Sequence, residues 1–114
     1  MNVEELDRLL GDVFLVDPKN TEHFVFGIHD LTVLKVRDVL MEIGHIKQEN
    51  LERQEYVATM GAGFCKSNIA YLATRIEENK LYVSVNAREG LINQHTRKGA
   101  INELRRKLKE YIEE

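Results

Sequence analysis

At 114 residues the chain is the size of one domain and too short for two, yet long enough to bury roughly two-thirds of its unfolded surface. An apolar content of 43%, a charged content of 31% and a net charge of −3 exclude bulk disorder. No apolar run approaches the roughly 18–20 residues of a bilayer span, and the acidic start Met1-Asn2-Val3-Glu4-Glu5 does not read as a signal peptide. The single cysteine, Cys65, excludes an internal disulfide and a cysteine-rich zinc site, so a reducing cytoplasm is the expected location.

The first predicted element is a short helix. Asn2 is placed to cap it, Glu5 completes a capping-box spacing, and Val3, Leu6, Leu9 and Leu10 share one side, with Gly11 as the expected stop. Val13-Phe14-Leu15-Val16 then reads as a strand, Asp17-Pro18-Lys19-Asn20 as a turn, and 23–28 as a returning strand with Phe24, Phe26 and Ile28 facing the core. Asp30 is the expected cap of a second helix over about 31–43. Its stripe is Val33, Val36, Val39, Leu40 and Ile43, with Lys35, Asp38 and Glu42 opposite and Gly44 at its end. The polar stretch 45–54 reads as a loop or a single turn, and 55–60 as a strand running into Gly61-Ala62-Gly63.

Residues 64–79 fit two readings. As a helix they align Cys65, Ile69, Leu72, Ala73 and Ile76. As a strand, Ile69–Ile76 pairs with Leu81–Arg88 about a Glu78-Asn79 turn. Leu72, Ile76, Leu81, Val83 and Val85 then share one face, and Tyr71, Ala73, Arg75, Tyr82, Ser84 and Asn86 the other. The last element is a helix capped by Thr96 and running to about Glu113, with Ile101, Leu104, Leu108, Tyr111 and Ile112 inward. The expected class is a two-layer α+β domain with an antiparallel or mixed sheet of four to five strands and three to four helices, in the order α-β-β-α-β-(β or α)-β-α.

Three features bear on function. The stretch Met60-Gly61-Ala62-Gly63-Phe64-Cys65-Lys66-Ser67 approaches a phosphate-binding loop, in which glycine backbone amides face phosphate, lysine neutralises it and serine holds magnesium. Met60 and Cys65 stand where that pattern has glycine, and a plain glycine-flanked turn or bulge is the competing reading. If the segment is a ligand site, its residues are Gly61, Gly63, Cys65, Lys66 and Ser67. Beside Lys66 at a helix start, Cys65 would favour the thiolate; the competing reading is a small buried apolar residue.

The second feature is charge. Residues 95–109 hold six basic side chains, Arg97, Lys98, Arg105, Arg106, Lys107 and Lys109, against one acid, Glu103. That is a net +5, so the remaining chain is −8 where the whole is −3. This is either a phosphate-contacting face for nucleic acid or a solvated helix complementing its own dipole and an acidic body. The third feature is the sheet face of Ile69, Tyr71, Ala73, Tyr82 and Ser84, which would meet either a helix or a partner.

The four histidines, His23, His29, His45 and His95, show no metal-ligand spacing, and no complete catalytic pattern is present. The expectation is therefore a small, homodimeric, non-catalytic binding or regulatory module, needing no metal, cofactor or membrane. A protein partner is one candidate ligand. The alternatives are an anion- or nucleotide-binding domain or enzyme using the Gly61–Ser67 loop, and a nucleic-acid-binding protein using the basic helix.

Overall fold

The computed structural model describes residues 3–14, 16–27, 32–62, 68–87 and 96–112. Helix α1 (Val3–Val13) leads through a single 3-10 turn (Pro18–Asn20) into strand β1 (Thr21–Gly27). Helix α2 (Val33–Ile43) follows, then strands β2 (Gly44–Asn50), β3 (Glu55–Ala62), β4 (Asn68–Glu77) and β5 (Lys80–Asn86), and finally helix α3 (Thr96–Ile112). All pairings are antiparallel and the sheet order is β1-β5-β4-β3-β2. The class is α+β, as expected. The order is α-β-α-β-β-β-β-α, and helices lie on both sides of the sheet rather than in one layer.

The larger core lies between the sheet and the pair α2 and α3. Val36, Val39 and Leu40 of α2 and Ala100, Ile101, Leu104 and Leu108 of α3 meet Tyr56, Ala58, Leu72, Leu81, Val83 and Val85. The smaller core lies on the opposite face, where Leu6 and Leu10 of α1 cover Val57 and Ala73. The alternating side chains of β3, β4 and β5 thus serve two cores, as both faces of a fully covered sheet must.

Four local expectations change. Gly11 does not stop α1, because Val13 and Phe14 pack on the smaller core and pull the helix onward; the Phe14 amide donates to the Leu10 carbonyl at 2.8 Å. For the same reason Val13, Phe14 and Val16 lie in no strand: all three pack on the smaller core, and the Phe14 and Tyr71 rings lie 4.6 Å apart. The cap of α2 is Thr32, whose hydroxyl accepts from the Lys35 amide at 3.2 Å; Asp30 lies outside the described residues. The polar stretch after Gly44 is an edge strand, not a loop.

Gly44 explains how that edge forms. A Cβ at this position would stand 1.9 Å from the Thr59 carbonyl oxygen, so only glycine lets β2 start so close to β3. A bulge at Lys47, between the Ile46↔Ala58 and Gln48↔Val57 pairs, then shifts the register. The ambiguous segment is a hairpin. Ile76 faces Leu81 and Glu77 faces Lys80, about Glu78 and Asn79 at φ 52° and 63°. Two left-handed residues give the twist that a two-residue hairpin requires, here without glycine.

Candidate functional site

The polar residues between α1 and the sheet form one seam. Asp7 projects from α1 onto the neighbours His23 of β1 and Ser84 of β5, which face each other in register. The Ser84 hydroxyl donates to Asp7 Oδ1 at 2.9 Å, and His23 Nε2 lies 2.8 Å from the same oxygen and 3.0 Å from Oδ2. These are the residue types of a hydrolytic triad, but the carboxylate is in the middle. A nucleophilic serine needs histidine as its base, whereas here the serine proton is held by aspartate. Ser84 is also fully buried. The cluster therefore clamps α1 to the sheet.

The same seam continues along α1. Arg75 Nη1 donates to Glu5 Oε2 at 2.6 Å, and Arg53 Nε lies 3.1 Å from the buried carboxylate of Glu55. Arg75 also lies 4.0 Å from Glu55 and 3.7 Å from Glu77, so one guanidinium serves three acids. On the other face the Tyr56 hydroxyl donates to the Val33 carbonyl at 2.8 Å. Burial, reinforced by Glu49, raises the pKa of Tyr56 above its ordinary 10.0, with Arg37 opposing.

The candidate ligand loop is only partly in view. Gly61 lies in β3, while Gly63, Cys65, Lys66 and Ser67 are outside the described residues. Gly61 lines a groove of about 360 Å³ with His45, Thr59, Ile69 and Tyr71, at the end of the sheet face next to α1. Asn68–Glu77 is strand β4, where the strand-loop-helix arrangement of a phosphate-binding loop requires a helix. The sheet face of Ile69, Tyr71, Ala73, Tyr82 and Ser84 is largely covered by α1: Ala73 and Ser84 are buried and Tyr71 and Tyr82 half-buried, whereas Ile69 remains exposed.

The basic residues of α3 are drawn largely into the protein's own surface. Arg97 lies 3.2 Å from Glu22, and Arg105 stacks over Phe26 at 5.2 Å from the ring centre. Arg106 bonds Glu103 and Glu110, and Lys107 reaches Glu42 of α2 at 2.6 Å and Glu110 at 3.3 Å. These hydrogen-bonded carboxylates raise the pKa of both cations. Lys98 and Lys109 are exposed. Among the described residues, no group of three or more His, Cys, Asp and Glu is placed to hold a metal ion, and no helix is long and apolar enough to cross a membrane.

One surface has no counterpart among the residues singled out from the sequence. Leu34 and Met41, both on α2, are 56% and 59% exposed, on the side opposite the buried Val36, Val39 and Leu40. A second groove, of about 470 Å³, runs between α2 and β2 and is lined by Arg37, Met41, Ile46, Lys47 and Glu49 among others. The seven-residue spacing of Leu34 and Met41 is a signal present in the sequence. The clamp of Asp7, His23 and Ser84 joins residues 16 and 77 positions apart, and no local pattern announces it. No protein-family model matches the chain, and no curated protein is significantly similar to it.

Proposed function

We propose that the protein is a small binding or regulatory module that works as a homodimer and carries out no catalysis of its own. The observation that carries this reading is the pair of large apolar side chains, Leu34 and Met41, held outward on a helix whose other side is locked into the core. Exposed apolar groups on a rigid element favour a protein contact. The acid, base and hydroxyl groups nearest to a catalytic set are engaged in clamping α1. Sedimentation equilibrium over a concentration series tests it: the expected mass approaches twice 13.2 kDa as concentration rises. A mass fixed at 13.2 kDa throughout rejects the homodimer.

A second reading keeps one supporting observation. Gly61 borders the groove with His45, Thr59, Ile69 and Tyr71, which leaves space for a small ligand beside Gly61, where the Gly61–Ser67 stretch begins. If that loop holds an anion, ATP or inorganic phosphate raises the melting temperature of the wild type and not that of Lys66→Ala. Nucleic-acid binding through α3 has weaker support, since Arg97, Arg105, Arg106 and Lys107 already have partners within the chain.

A further inference from the structure

We propose that a second copy of this chain docks on the outer face of α2, the two α2 helices lying side by side and parallel about a two-fold axis. The proposal rests on the homodimeric reading above and names its contact surface. Leu34, Arg37, Asp38 and Met41 are spaced i, i+3, i+4, i+7, so they form one stripe on the side of α2 opposite the buried Val36, Val39 and Leu40. At about 100° per residue, Leu34 and Met41 lie within about 20° of each other, with Arg37 about 60° to one flank and Asp38 about 40° to the other.

The structure fixes what those flanks face. Arg37 leans toward β2, its Nε 3.5 Å from Glu49. Asp38 lies on the side of Glu42, whose carboxylate meets Lys107 of α3. A two-fold axis parallel to the helices brings the Arg37 flank of each copy against the Asp38 flank of the other. It stacks each Leu34 and each Met41 on its own counterpart, as an isologous interface requires. Antiparallel helices would instead set arginine against arginine and aspartate against aspartate. Charge complementarity therefore selects the parallel arrangement.

Sheet extension through an edge strand, β1 or β2, is a competing way to pair two copies, and the β2 edge lies beside α2. The β2 edge carries a bulge at the exposed Lys47, and bulges and lysines are devices by which edge strands resist pairing. A contact through one helix face falls at the small end of protein interfaces, so the dimer is expected to be weak and concentration-dependent.

The test combines charge and crosslinking in the full chain. Asp38→Arg places like charges across the interface on both sides and weakens the dimer at least tenfold in Kd, by sedimentation. Arg37→Asp does the same with the opposite sign, and mixing the two variants restores a dimer of one copy of each. In a Cys65→Ser background, Met41→Cys oxidises to a covalent dimer at least tenfold faster than Glu52→Cys at the exposed β2–β3 turn. Dimerisation unaffected by both charge variants overturns the proposal and leaves the homodimeric reading standing with another interface. Charge-sensitive dimers in which Met41→Cys crosslinks no faster than Glu52→Cys overturn the parallel arrangement. A wild type that is monomeric at the highest concentration overturns both the proposal and the reading beneath it.

Discussion

Replacing Asp7 by alanine removes the centre of the clamp between α1 and the sheet. Two interactions are lost. The pair with His23 is over a third exposed on both sides, so screening limits it to about 0.5 kcal/mol. The Ser84 bond is different, because Ser84 is fully buried and its hydroxyl is left without its carboxylate. A hydrogen bond to a charged acceptor contributes about 1.5–3 kcal/mol, and an orphaned buried hydroxyl costs about 1–3 kcal/mol. These are two views of one loss and do not add. Alanine's better helix propensity returns about 0.5 kcal/mol in α1. The net expectation is a destabilisation of about 1.5–3 kcal/mol. Urea unfolding followed by circular dichroism, at one fixed protein concentration because dimerisation adds to stability, measures it. Removing the hydroxyl as well, in Asp7→Ala/Ser84→Ala, should recover part of the loss, with a coupling of about 1 kcal/mol. A single variant within about 0.5 kcal/mol of wild type, or strict additivity in the double variant, refutes the clamp.

Tyr56→Phe removes the bond to the Val33 carbonyl and should cost about 1 kcal/mol at neutral pH. The raised pKa of Tyr56 means its contribution is fully present below pH 10.0 and lost as pH rises through the folded-state value. The stability difference between wild type and Tyr56→Phe should therefore shrink above pH 10.0, and a difference constant to the alkaline limit contradicts the buried phenol. Gly44→Ala drives a Cβ into the Thr59 carbonyl and should cost at least about 2 kcal/mol in a thermal or urea melt; an unchanged midpoint would mean β2 is not seated as described. Glu78→Asn with Asn79→Gly supplies the residues that a turn with two positive φ values favours, and should stabilise by about 1 kcal/mol in the same melt. A loss of stability would argue against that turn.

What the sequence shows plainly is whatever repeats with a short period and faces one core. The stripes of α2 and α3 are legible because Val36, Val39 and Leu40, and Ile101, Leu104 and Leu108, recur at helical spacing and are buried together. Once residues 68–77 are taken as strand rather than helix, a choice the sequence leaves open, the β4–β5 register is legible, because a slip by one residue would exchange the buried Leu72, Val83 and Val85 with the half-buried Tyr71, Arg75 and Tyr82. Strand β2 is not legible: an edge strand with Ile46 as its one large apolar residue has no alternation to read, and its position depends on the backbone contact at Gly44. The fate of Val13–Val16 is equally hidden, since an apolar run of four does not state whether it pairs as a strand or packs as the end of a helix. Of the candidate sites, the basic stretch of α3 is visible in composition, but its partners Glu22 and Glu42 come from distant segments and appear only in the fold.

Native mass spectrometry of the gently desalted protein addresses the central claim most directly, since it reports subunit number and retained small ligands together. A homodimer, increasing with concentration and carrying no added mass, is the expected result. A monomer that carries a discrete extra mass at every concentration contradicts it and shifts the function to a ligand site.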